Sequence, residues 1–306
     1  MSLWDLSVLP DGVRLGVNPL SWANDVLEDL GADIPLETCL ADAAAVGYRG
    51  IELGRKFPRQ RTVLVPLLER HGLDLVSGWH SGRLAEGDVD AEVDAVAAHA
   101  ELLASMGCSV MVYGETAMMA SLDASMSQRL VMPAANVAAY GQRLGEFARR
   151  LHGDYGLRLA YHHHLMMVAE TFDETRRLFD ATARDVGLLL DTGHATAGGF
   201  GYADLIDGYG DRIVHIHLKD VRSDRLADVR ARDASFNDGV RAGMFTVPGD
   251  GEVDFAPLAD FVTRSGYSGW LVVEAEQDPA LAPPRPAVER AFTHVLQTFA
   301  ASKGRS

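Results

Sequence analysis

Short apolar runs that end abruptly in a polar residue recur along this chain, and that pattern leaves few folds open. The plainest is at residues 188–194, L-L-L-D-T-G-H, where three leucines give way at once to Asp191, Thr192, Gly193 and His194. A run apolar on both faces suits a central strand of a parallel sheet. Ligands of such sheets bind beyond the carboxyl ends of the strands. Taken alone, the segment is equally well read as an Asp that caps the next helix and a packed His. Recurrence argues for more: comparable runs stand at 13–17, 50–53, 73–77, 109–113, 157–161, 187–191, 213–217 and 270–273.

Helical patterns fill the intervals. They cover 36–45 behind Pro35, 63–70, 89–106, 133–151 (broken by Gly153 and Gly156), 171–181, 203–209, 255–265 and 287–299. Thr171 with Glu174 has the spacing of a capping box. Strand-like runs alternating with helices at intervals of roughly 25 to 55 residues predict an α/β chain, a (β/α)8 TIM barrel in a single domain spanning 1–306. A doubly wound open sheet is disfavoured, because no G-x-G-x-x-G follows the first run and no P-loop occurs. Residues 221–244 are charged and irregular, too long for a plain connection, and read as a lid.

Composition narrows the partners. The 306 residues carry a formal charge of -15 without a basic tract, which argues against nucleic acid and anionic membranes. The two cysteines, Cys39 and Cys108, lie far apart, so a disulfide framework or thiolate zinc site is not expected and a reducing cytoplasm fits. The N-terminus lacks the pattern of a signal peptide, and no stretch nears the roughly 20 apolar residues of a membrane span. Whether the chain forms a homo-oligomer is left open.

In a barrel, the runs deliver Asn18, Glu52, His80, Glu115, His162 with His164, Asp191 with His194, His217 with Lys219, and Glu274 to one rim. Imidazoles and carboxylates together suit Mn²⁺, Co²⁺ or Zn²⁺. Asp191, His217 and Glu274 each end an apolar run, on the neighbouring strands six, seven and eight, and are the expected metal ligands. A fourth comes from strand five, as His162 or, two residues on and facing the same way, His164. His163 points away. His215 and His217 share a face, and the later one is nearer the rim. His80, Lys219, His194 and Glu52 are the expected acid and base groups, with the assignment among them open. Lys219 is one alternation beyond His217, although a lysine at a strand end is commonly just solvated. Glu52 could instead pair with Arg55 or Lys56. Asn18, Trp22, Arg55, Lys56, Glu115 and His164 complete an expected substrate pocket, with Trp79 as a second indole wall and Glu276 as a supporting carboxylate.

D-T-G-H, H-I-H-L-K-D and the terminal V-V-E resemble the xylose-isomerase-like barrel superfamily. Longer stretches are similar to its inosose dehydratase branch: G-V-N-P-L-S-W-A-N-D at 16–25, D-I-P-L-E-T-C-L at 33–40, G-I-E-L-G-R-K-F-P-R at 50–59, Y-H-H-H at 161–164, and the run from F-T-V-P-G-D-G-E-V-D-F to V-V-E-A-E-Q-D-P. The resemblance extends from about residue 14 to residue 280. It implies dehydration of 2-keto-myo-inositol (scyllo-inosose) to a trihydroxycyclohexane-1,2-dione in myo-inositol catabolism, with Mn²⁺ or Co²⁺ and an association with glutathione. The ligand set Glu, Asp, His, Glu of the superfamily carries over to Asp191, His217 and Glu274. His162 stands where the isomerases and epimerases have Glu, which is a departure.

The chemistry follows from the residues too. A divalent ion on the carbonyl and hydroxyl oxygens of an α-hydroxy ketone acidifies the adjacent carbon by stabilising an enediolate. Reprotonation elsewhere makes an isomerase or epimerase, and expulsion of a β-hydroxyl makes a dehydratase. The endonuclease IV reading on the same barrel needs a basic surface, which the charge of -15 opposes.

Overall fold

All eight apolar runs are strands in the computed structural model, which describes residues 5–304. The strands are Val13–Val17, Gly50–Leu53, Asp74–Gly82, Val110–Glu115, Arg158–His162, Val186–Asp191, Ile213–Leu218 and Gly269–Val273. Each pairs in parallel with its neighbours in chain order, and the first closes the ring on the eighth, from Val13↔Gly269 to Val17↔Val273. Helices follow the strands, among them Leu36–Val46, Val89–Ser105, Ala134–Tyr155, Phe172–Ala181 and Pro284–Lys303. The predicted capping box is present: Thr171 Oγ1 accepts from Glu174 N at 3.3 Å while the Glu174 carboxylate accepts from Thr171 N at 3.0 Å.

Alternation sorts the side chains. Leu188 and Leu190 face outward into the core shared with the helices and are fully buried, each contributing about 1.5–3 kcal/mol by leaving water. Inside, the barrel is filled in layers. Arg14 lies over Trp270 at 3.9 Å at the bottom, and a Cβ on Gly50 would come within 2.6 Å of that indole, so glycine makes the space it occupies. Val110, Val112, Ala160, Leu189 and Val214 form an apolar plug. The polar strand ends lie above that plug.

Two bulges change which residues reach the interior. Pairing between strands two and three steps from Ile51↔Leu75 to Leu53↔Gly78, which inserts one residue on strand three. Val76 packs inside with Trp270 and Val272, yet Ser77 also faces in, where its hydroxyl donates to Glu52 Oε1 at 2.5 Å. Beyond the bulge Trp79 and Ser81 point inward and His80 outward. Strand seven has the same device, from Leu188↔Ile213 to Leu189↔His215, so Val214, His215, His217 and Lys219 all turn inward.

Two expectations are corrected. Gly153 lies within helix Ala134–Tyr155, which ends at Gly156 with φ 71°. Residues 221–244 are not irregular: they form helices Ser223–Ala231 and Phe236–Ala242, framed by antiparallel pairing of Asp220–Val221 with Phe245–Thr246. Their apolar faces, Leu226, Val229, Phe236 and Val240, form a cluster with Leu27, Leu30, Leu165 and Phe245. The dense charge that hid this periodicity lies outside, for example in the Asp228–Arg232 pair at 2.6 Å. Among the described residues, no helix is long and apolar enough to cross a membrane.

Candidate metal centre

At the carboxyl ends of the strands a cleft opens to solvent. His162, Asp191, His217 and Glu274 are buried at its floor, with one ligand atom from each lying within 4.8 Å of the others. They come from the ends of strands five to eight, and their local hydrogen bonds aim them.

His162 Nδ1 donates to the His163 carbonyl at 2.6 Å, leaving Nε2 to face Asp191 Oδ2 at 3.5 Å. His217 Nε2 donates to Glu52 Oε1 at 3.2 Å, leaving Nδ1 to face Glu274 Oε2 at 3.0 Å and Asp191 Oδ2 at 3.7 Å. Fixing one ring nitrogen by a carbonyl or carboxylate is how a metal-binding imidazole is oriented. Asp191 Oδ1 accepts from His194 N at 2.7 Å as the helix cap. Its Oδ2 and His217 Nδ1, both buried, make no hydrogen bond. Two convergent buried atoms that no hydrogen bond satisfies, in an N/O donor set, fit a divalent cation.

The electrostatics agree. Glu52, Asp191, Glu274 and Glu276 are all buried here. Burial raises the Glu52 pKa, but His217 and His215 outweigh it and hold the carboxylate well below its usual range. Asp191 is likewise desolvated yet held well below by Lys219 and His194. Glu274 is brought down to about 2 by His217 and Lys219 against the same burial. In turn Glu274 and Glu52 overcome burial and raise His217 well above the usual imidazole value. The buried carboxylates around His217 that raise its affinity for a proton create a demand that a cation would also answer.

Asn18 ties the set together: its Nδ2 donates to Glu52 Oε2 at 2.6 Å and to Glu274 Oε2 at 2.8 Å. His215 lies one layer deeper and donates to Glu52 Oε1 at 2.9 Å. Behind the quartet a second group holds His164, His194 and Glu276. His164 Nδ1 donates to the Leu165 carbonyl at 2.6 Å, and burial, followed by His162, lowers the ring to a pKa of about 4. Nδ1 of His194 accepts from Leu165 N at 3.3 Å, and its Nε2 lies 2.9 Å from Lys219 Nζ.

The other expected site residues divide. Asn18, Glu52 and His164 line the cleft. Lys219 is fully buried beside it and His194 nearly so, neither lining it. His80 is not brought to the cleft: the bulge turns it outward to Glu92 Oε1 at 2.5 Å. Glu115 also faces outward, where its carboxylate accepts from Ala85 N and Ala117 N, both at 2.9 Å. Trp22 is core, its indole donating to Asp42 at 3.1 Å. Arg55 and Lys56 staple the preceding loop. Arg55 donates to the Asn24 and Glu28 carbonyls, and Lys56 Nζ to those of Gly31, Ala32 and Ile34 at 2.6–3.0 Å. His163 turns away as expected, with Nε2 accepting from Asp191 N at 3.2 Å.

Sequence reasoning missed much of the wall: Ser81, Asn24, Asp25, Met119, Leu122, Met167 and Phe236 line the cleft. Trp79, expected as an indole wall, does line it, with its ring 5.7 Å from that of His162 and in a space that any Cβ on Gly114 would occupy. Alternation from Ser77 finds Trp79 and Ser81, once the bulge is known. Nothing local marks the loop residues.

The closed parallel barrel and the buried His, Asp and Glu at its carboxyl rim define the class. The chain belongs to the xylose isomerase-like TIM barrel family, whose pattern it matches over residues 40–297. It is 44% identical to the rhizopine catabolism protein MocC of Rhizobium meliloti, over 89% of this chain and 84% of that protein. It is 36% identical to the inosose dehydratase of Geobacillus thermodenitrificans, over 94% of this chain and 97% of that protein. The zinc-bound crystal structure of the IolI protein shares the fold, with a TM-score of 0.64 and 15% identity, over 94% of this chain and 99% of that one.

Proposed function

We propose that this protein is a hydro-lyase that removes water from an inosose. The reaction is dehydration of 2-keto-myo-inositol to the trihydroxycyclohexane-1,2-dione, with Mn²⁺ or Co²⁺ held by His162, Asp191, His217 and Glu274. The observation that carries it is this quartet at the cleft floor of a chain whose near-full-length relative is an inosose dehydratase. Such an ion supplies Lewis acidity toward the ketone and its neighbouring hydroxyl, making the adjacent C–H acidic.

The chain's own residues do the rest. Asn18 and Glu52 hold Glu274 and His217 in orientation. His164 presents Nε2 toward the cleft as the group that takes the α-proton and returns it to the departing hydroxyl, so that water leaves. That assistance is typically worth ~10²–10⁴ in rate, because hydroxide is a poor leaving group. Trp79, Met119, Leu122 and Phe236 form apolar wall that limits water around the ring. The pair Lys219 and His194 flanks the quartet, as positioning groups.

The test is incubation with 2-keto-myo-inositol in deuterium oxide, with Mn²⁺ or Co²⁺, with and without glutathione. A rising enol absorbance in the ultraviolet marks the dione. Recovery of only deuterated or epimerised inosose would make the protein an isomerase or epimerase instead.

A further inference from the structure

Lys219 is built into the site rather than laid over it. Two residues beyond His217, it shares the interior face. Its stem threads a slot left by Gly193, where a Cβ would come within 2.5 Å of Lys219 Cγ. Its ammonium lies 4.8 Å from the centre of the Phe245 ring. The Nζ stands 2.6 Å from Glu274 Oε1, 2.7 Å from Glu276 Oε1 and 2.9 Å from His194 Nε2, with Asp191 Oδ2 at 3.7 Å. These are metal-type donors converging on one point, and the point is held by a cation.

The two cation positions share ligands. Glu274 turns Oε2 to His217 in the quartet and Oε1 to the ammonium, and Asp191 Oδ2 lies within 3.7 Å of both His217 and Lys219. A carboxylate shared between neighbouring cations is the layout of two-metal sites, in which the ions sit about 3.5–4 Å apart. His164, His194 and Glu276 supply a further three ligand atoms within 4.8 Å of one another. An ammonium neutralises part of this charge at hydrogen-bond distances, and it repels a divalent ion from the same place.

We infer that the Lys219 ammonium is a resident cation in the second position of a two-cation site. The chain then takes one divalent ion, and His164–His194–Glu276 becomes a second metal site when the ammonium is removed. This rests on the metal reading of the quartet, but its test is separate from it.

The experiment counts bound Co²⁺ or Mn²⁺ per chain, by calorimetric titration and by metal analysis after gel filtration, in wild type and in Lys219→Met. The expected counts are one and two, with electron paramagnetic resonance of the Mn²⁺ form changing from isolated ions to a coupled pair. Adding His164→Ala to the variant should restore one. Lys219→Gln, which keeps a hydrogen-bond donor for Glu276, is the second variant should the first not fold by circular dichroism. An unchanged count in whichever variant folds overturns the proposal, and so do two ions in wild type. Should neither variant fold, the wild-type count decides: one supports the proposal. No ion in wild type but one in the variant would fault the quartet while supporting the second site; none in either would overturn both.

Discussion

Asn18 shows how much one uncharged side chain governs here. Its amide bridges Glu52 and Glu274 with bonds of 2.6 and 2.8 Å, while its Oδ1 accepts from Leu20 N at 2.9 Å and fixes the turn that follows strand one. Partners of this kind set ligand orientation, and losing one typically costs 10–100-fold in metal affinity. Asn18→Ala should therefore weaken Mn²⁺ or Co²⁺ binding by roughly 10- to 100-fold, read by titration calorimetry. Wild-type affinity in the variant would show that Glu274 is held by other means. The amide lies outside the quartet, so its loss should leave the one-ion count unchanged.

Strand three carries the clearest lesson about elements. Its bulge moves a single residue and thereby exchanges two functions: Trp79 and Ser81 go to the cleft, and His80 goes to the layer between barrel and helices. There His80 meets Glu92, a buried carboxylate on helix Val89–Ser105 that also accepts from Arg83 N at 3.0 Å. Truncating the imidazole leaves Glu92 short of a partner, which costs about 1–3 kcal/mol. His80→Ala should lower unfolding stability by that amount in urea while metal affinity stays at the wild-type level. Lost activity with intact stability would instead put the imidazole into the chemistry. The helical pair at 223–242 was obscured in a similar way. A short apolar face of four residues cannot be separated from surrounding charge until its partners Leu27, Leu30 and Leu165 are in place.

The barrel as an entire unit concentrates buried charge in one place. Residues from all eight strands or the loops just beyond them meet at the cleft and its floor, from Asn18 to Glu276. Folding therefore assembles several carboxylates at once, and a cation bound only by the folded chain stabilises the fold by mass action. At a metal concentration 100 times the dissociation constant the gain is about 2.7 kcal/mol. For a chain of this length that corresponds to a rise of roughly 4 °C in melting temperature. Scanning calorimetry with Mn²⁺ or Co²⁺, reversed by a chelator, should show it. An unmoved transition would mean that the quartet holds no ion in the folded state.

Period and polarity by themselves determined the architecture. Runs at 13–17 and 50–53 coincide with strands at both ends, because a strand buried on both faces must be apolar throughout and must stop where the chain meets water. The same reasoning placed Asp191, His217 and Glu274, each the polar group that ends an apolar run, at the rim, with His162 beside them. Only the tertiary structure decided which way the flanking residues point. A bulge leaves no mark in composition, yet it reverses the parity of everything after it, and so it displaced His80 and admitted Ser81 beside the expected Trp79. Glu115 shows the simpler case, since it follows Val112 by an odd step and so faces the helices. Arg55, Lys56 and Lys219 are charged groups whose partners lie 22 to 57 residues away in sequence, in carbonyls and carboxylates that no local pattern can pair with them. Their charges are spent inside the protein, because three-dimensional proximity, not sequence spacing, sets which buried groups must neutralise one another.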